Sequence, residues 1–178
     1  MAVYFLRHGQ SEANEKGVFA GQINNCPLTD LGMQQCRAVA QEIKSLGIDR
    51  IIASNLTRAR QTAAEVAKII GFDESKIETD SRINEYNMGS ITGTPIRAVT
   101  SDELNNAKGA EDPTEFQNRI LSFLRQYKDS HGNVLMVSHS GVDAMIQATK
   151  LGMEPDELYS NPLYPNAHAT KLDLDWLQ

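Results

Sequence analysis

Short, mostly apolar runs at Ala2–Leu6, Arg50–Ala53 and Val134–Val137 alternate with segments whose apolar residues recur at helical spacing. Each run is strand-sized, and each is followed closely by charge, serine or glycine. An apolar run without period-two alternation reads as a strand buried on both faces, and strands separated by helices pair in parallel. The expected fold is therefore α/β, with a mostly parallel central sheet covered by helices on both faces as a three-layer α/β/α sandwich.

Between these runs, Thr29 and Asp30 can cap a helix that starts near Leu31, keeps an apolar face through Ala38, Ile43 and Leu46, and stops at Gly47. Ser54 is placed to cap a second helix, with Leu56, Ala59, Ala63, Val66 and Ile70 on one face and Gly71 at its end. A short strand is expected at Lys76–Thr79, and a polar loop runs from the first strand through Pro27. From Gly89 to Pro113 the periodicity dissolves into Gly, Thr, Asn, Asp and Pro, which reads as a long loop with a short helix near Ser101–Lys108. Helices over Thr114–Tyr127 and from about Val142 to Leu151 follow, and the alternation in His168–Leu174 predicts an additional strand at a sheet edge.

A chain of 178 residues fits one domain. The expectation is one domain over residues 1–178, with a short lid around 90–113. No apolar stretch approaches the roughly 20 residues of a membrane helix. The N-terminus MAVYFLRHGQ lacks the features of a signal peptide, so a cytoplasmic protein without membrane association is expected. A net charge of −6 argues against broad nucleic-acid binding. The spacing of Cys26 and Cys36 fits neither a disulfide framework nor a zinc site, so free thiols are expected.

In open α/β sheets, ligands sit where strands end and their helices begin. His8 follows the first strand in Arg7-His-Gly9, and His139 follows a later one in Ser138-His-Ser-Gly141. If those strands are neighbours, both histidines face one crevice. His131 and His168 lack that context and read as structural or solvent-facing. Arg58 and Arg60 fall in the first turns of the helix after the second strand. Arg60 reads as a solvated helix face, whereas Arg58 is placed to bind a phosphoryl group with its forked guanidinium.

At Arg7-His-Gly-Gln-Ser-Glu12 the sequence resembles the histidine phosphatase superfamily. The resemblance continues in family order through Asn14, Pro27-Leu-Thr-Asp-Leu-Gly32, Ser54-Asn-Leu-Thr-Arg-Ala-Arg-Gln-Thr62, Ile83-Asn-Glu-Tyr-Asn-Met-Gly89 and Val137-Ser-His-Ser-Gly141. It implies a phosphoglycerate mutase-like fold, His8 as the nucleophile that becomes phosphorylated, and Glu85 as the proton donor. Arg7, Arg58 and His139 would hold the phosphoryl oxygens, and Asn14 would help position them, although an asparagine there also suits a cap or turn.

The chemistry agrees, because only neutral imidazole attacks phosphorus and flanking guanidinium groups disfavour its protonation. The pattern departs from the family at Ser140 and Ala144, where a second glycine and an arginine are common, and at Ile91-Thr92, where an aromatic and an acidic residue are common. Neither cysteine is followed six positions later by arginine, and no Walker-type or His-Glu-x-x-His motif occurs, so no metal or cofactor is expected. The leading expectation is hydrolysis of a phosphomonoester, either a small molecule or a phosphoprotein. Phosphoglycerate mutase chemistry on the same residues is the alternative, and a non-catalytic phosphate-binding module is a third.

Overall fold

The computed structural model describes residues 2–129, 131–160 and 164–177. A five-stranded sheet contains β1 (Ala2–Arg7), β2 (Ile48–Ala53), β3 (Glu78–Thr79), β4 (Asn133–Ser138) and β5 (Ala169–Lys171) in the order β3-β2-β4-β1-β5. The pairings β1–β4, β4–β2 and β2–β3 are parallel, and β5 joins the edge antiparallel to β1.

Side chains alternate across the sheet as the pleat requires. Val3, Phe5, Ile52, Val134 and Met136 enter one core with Phe116, Ile120, Phe123 and Leu124 of α5 (Pro113–Lys128) and Val142 and Met145 of α6 (Ser140–Lys150). Leu6, Ile51, Ala53, Leu135 and Val137 enter the other core with Val39, Ala40 and Ile43 of α2 (Asp30–Ile43) and Ala59, Ala63 and Val66 of α3 (Thr57–Ile70). The expected three-layer sandwich is present. Burial on both faces is why β4 carries apolar residues consecutively rather than alternately.

Several boundaries differ from expectation for identifiable reasons. The loop before Pro27 contains a short helix, α1 (Glu12–Lys16), held by a reciprocal capping box between Ser11 and Asn14. Helix α3 begins at Thr57 with Leu56 as its N-cap and no side-chain cap, so Ser54 does not cap it. Pro113 opens α5 behind Asp112, whose carboxylate accepts the Thr114 and Glu115 amides. β5 stops at Lys171, although the Leu172 amide still donates to the Val3 carbonyl at 2.9 Å. The 89–113 segment holds 3₁₀ turns at Gly89–Ile91 and Ile96–Ala98 and the short helix α4 (Ser101–Asn105). Among the described residues no helix is long and apolar enough to cross a membrane. Both cysteines are buried and free.

Candidate active site

β4 lies between β1 and β2, and its pairing sets Ser138 opposite Arg7. His8 and His139, one residue beyond each, therefore meet across the strand ends, with ring centroids 5.1 Å apart. Arg58 arrives from the first turn of α3, after β2, and Glu85 from the turn after β3. All four are almost wholly buried. Arg7, His8, Asn14, Arg58 and Glu85 line one cavity of about 280 Å³. The crevice thus unites the residues singled out in the sequence, whereas Arg60 and His131 are exposed elsewhere.

The loop carrying His8 is clamped by α2. Thr29 caps α2 by accepting the Gly32 amide at 3.0 Å, and its own amide donates to the Gln10 carbonyl at 2.9 Å. A Cβ on Gly32 would lie 2.1 Å from the Gln10 carbonyl oxygen, and one on Gly9 would lie 2.5 Å from that of Gly32. Two backbones approach too closely there for any side chain.

His8 Nδ1 lies 2.7 Å from the Gly9 carbonyl, which can only accept. The proton is therefore on Nδ1, and the lone pair is on Nε2, where Arg58 Nε donates at 3.2 Å. Burial, followed by the charge of Arg58, holds the His8 pKa well below its usual value. The imidazole is neutral.

Arg58 donates from Nη2 to the Gly21 carbonyl at 2.9 Å, while Nη1 is buried without a partner among the described residues. Burial lowers its pKa as well. A desolvated cation with an unused donor is costly unless an anion completes it. Arg7 donates from Nη1 to the Tyr164 carbonyl. Asn14 Oδ1 is occupied by the amide and hydroxyl of Ser11 and by Asn166 Nδ2, so the capping role and the position in the cavity wall coexist.

Ser54 acts on His139. Its hydroxyl lies 2.7 Å from His139 Nε2 and donates to Asn84 Oδ1 at 2.9 Å, an oxygen whose orientation is fixed because it also accepts the Asn55 amide. With the serine proton so used, His139 Nε2–H must donate to Ser54 Oγ. His139 Nδ1 is left unprotonated, buried and without a partner among the described residues. The His139 pKa is held well below normal by burial first and then by Arg58.

Glu85 Oε1 accepts the Tyr86 amide at 2.8 Å, and Oε2 lies 3.3 Å from the Gly141 amide in the first turn of α6. Its backbone carbonyl is gripped by Gln22 Nε2 and Arg119 Nη2, and Arg119 is itself anchored on both carboxylate oxygens of Glu111. Ser54, Asn84, Gln22 and Arg119 were not among the residues singled out for the site. Ser54 and Asn84 stand inside the recognised motifs, but Arg119 has no local signal because it lies 34 residues from Glu85.

Two of the four departures from the family pattern, Ala144 and Ile91, have packing reasons. Ala144 is 1 % exposed within the core, where an arginine could not be solvated, and Ile91 packs against the same core. Burial also raises the carboxyl of nearby Asp143 to about 6.

These shifts set a pH dependence of stability. A histidine held neutral when folded is protonated only on unfolding, so His8 and His139 make stability fall as pH drops below about 6.5, by up to about 1.4 kcal/mol per unit each. Asp143 acts oppositely, because the folded state holds its proton more tightly, so its contribution to stability grows as pH falls from about 6 toward the ordinary carboxyl range. Asp143→Asn is therefore expected to stabilise the protein near pH 7.5 and to steepen its loss of stability between pH 6 and 4.5. Urea unfolding across that range checks this, and an unchanged slope would count against it.

The sequence from residue 3 to 176 matches the family model for the histidine phosphatase superfamily (branch 1). A relative from Hydrogenobacter thermophilus, named "Putative phosphoserine phosphatase 2", is 32 % identical over 97 % of this chain and 89 % of the relative. One from Yersinia enterocolitica, named "Probable phosphoglycerate mutase GpmB", is 32 % identical over 87 % of this chain and 77 % of its own. Among solved structures, Bacillus stearothermophilus YhfR superposes with a TM-score of 0.83 at 22 % identity, covering 99 % of this chain and 92 % of that one. A mycobacterial glucosyl-3-phosphoglycerate phosphatase complexed with VO3 gives 0.81 at 21 % identity, covering 96 % and 90 %. The match over nearly the whole length, with the shared fold, places this chain in the histidine phosphatase superfamily, branch 1.

Proposed function

We propose that the protein is a phosphatase that hydrolyses small phosphomonoesters through a phosphohistidine on His8, with Glu85 as general acid and then general base. The observation that carries this reading is the tautomer of His8: Nδ1–H is held by Gly9, and the Nε2 lone pair is presented beside Arg58. As the ester enters, Arg58 exchanges its contact with Nε2 for a phosphoryl oxygen, and Arg7, Asn14 and His139 take the others. His139 Nδ1 carries no proton, so it meets the phosphoryl group with uptake of one proton, either on the ring or as a monoanionic ester.

Nε2 then attacks phosphorus as the bond to the ester oxygen breaks, and Glu85 delivers a proton to the departing alkoxide. After the alcohol leaves, water attacks the phosphohistidine and gives a proton to Glu85. The P–N bond breaks, and His8 returns with inorganic phosphate released. The segment at 90–113 serves as a short lid, and the access of water it permits favours hydrolysis over a mutase cycle, in which the phosphoenzyme must outlive product reorientation. Mutase chemistry remains the second reading because a similar relative is named for it.

Phosphate release with chelator present tests the assignment. Glu85→Gln is expected to lower kcat/KM, which reports the steps up to release of the alcohol, by about 10²–10⁴-fold on alkyl phosphates and much less on p-nitrophenyl phosphate, whose leaving group departs without a proton. Equal losses on both would remove Glu85 as the acid, and transfer between glycerate positions without phosphate release would favour the mutase.

A further inference from the structure

Beyond the phosphoryl cage, the cavity wall is formed by Val18, Phe19, Met88, Ile96, Val99 and Leu104. These come from the turn after α1, the Met88-Gly89 turn and the 89–113 segment around α4. The remaining side chains that line it outside the cage are neutral, and the polar ones are Thr100 and Ser140. Thr100 has its hydroxyl engaged by Glu103. Among the described residues, Arg7 and Arg58 are the lining cations, and both belong to the cage. Arg97 is exposed between Ile96 and Ala98 and does not line the cavity, nor do the acidic Asp102 and Glu103 of α4. Ile96 is 46 % exposed at the mouth.

We infer that the alcohol half of the substrate is an uncharged, largely apolar group of modest size, such as one ring or a short chain. This rests on the phosphatase reading above. A carboxylate or second phosphoryl group entering this wall would lose its hydration with no cation left to replace it, because the two arginines already serve the transferred phosphoryl group. An apolar group gains from the same wall, since each methylene in a hydrophobic pocket shifts selectivity by about tenfold or more. A cavity near 280 Å³ lies at the small end of ligand pockets, which limits that group to a compact one. Phosphoserine and 3-phosphoglycerate, whose alcohol halves are charged, are therefore poor substrates.

The test compares kcat/KM for benzyl phosphate, phosphoserine and 3-phosphoglycerate, all esters of aliphatic alcohols, with chelator present. Benzyl phosphate is expected to exceed both esters with charged alcohol halves by about tenfold or more. Val99→Arg and the more exposed Ile96→Arg, each checked for an unchanged unfolding temperature, are expected to narrow or reverse that ratio. Equal or better turnover of the esters with charged alcohol halves by the wild type would overturn the inference.

Calorimetric binding of the same esters to His8→Ala separates the two levels of the reading. If no ester releases phosphate but benzyl phosphate binds most tightly, hydrolysis fails and the pocket preference stands. Tighter binding of 3-phosphoglycerate would refute the pocket preference.

Discussion

His8→Ala is expected to lower phosphate release by about 10⁴-fold or more, since removing a nucleophile leaves only the rate enhancement from binding and oriented charge. The side chain is neutral and buried, with one hydrogen bond to a neighbouring carbonyl and one accepted from Arg58, so the fold should tolerate its loss. The measurement that checks the role is covalent. Wild type quenched during turnover of a ³²P-labelled ester should carry an acid-labile, base-stable phosphoryl group, and His8→Ala should carry none. Label retained by the variant would move the nucleophile to another residue, with His139 as the nearest candidate at 5.1 Å between ring centroids.

Arg58→Met is expected to move activity and stability in opposite directions. The guanidinium is 1 % exposed, its bonds go to a carbonyl and to the nucleophile's lone pair, and Nη1 has no partner among the described residues. Replacing it with an apolar chain of similar length removes a desolvated charge, which should raise stability by about 1 kcal/mol or more. On the proposed mechanism, loss of this cation should cost about 10²–10³-fold in kcat/KM. Inorganic phosphate should raise the unfolding temperature of wild type and leave that of the variant nearly unchanged. A variant that loses stability together with activity would make Arg58 a structural residue instead.

Opposing effects of this kind are expected wherever a site is built before its ligand arrives. The cage gathers two arginines, two neutral histidines and a carboxylate under little solvent, and hydrogen bonds within the protein satisfy only part of it. Among the described residues, Arg58 Nη1 and His139 Nδ1 are buried without a partner, and the proposed mechanism directs both at the phosphoryl group. Glu85 differs, because both of its oxygens are already oriented by backbone amides. Fixed geometry of this kind is what the proposed role as proton donor requires.

Much of this protein was legible from residue order alone. Strands, helices and the layered α/β architecture follow from local periodicity, and the pairing of Arg7-His-Gly9 with Ser138-His-Ser-Gly141 at two strand ends identified both histidines. Glycine close approaches at Gly9 and Gly32 also leave their trace in the sequence, because no other residue fits where two backbones touch. Ser54 does not cap α3 as its place in the sequence suggests, for a physical reason: a serine before a helix is ambiguous until the first helical residue is known, and α3 starts at Thr57.

Tertiary structure alone decided how those parts meet. The insertion of β4 between β1 and β2 brings His139 to His8 and turns Ser54 and Asn84 into the groups that set its tautomer. It also brings Arg119 under Glu85 and lines the cavity mouth with apolar residues from the 89–113 segment. Local sequence encodes backbone preference and which face is buried, because those depend on near neighbours. Proton positions, desolvated charge and pocket chemistry depend on groups distant in the chain, and they exist only once the sheet order has been chosen.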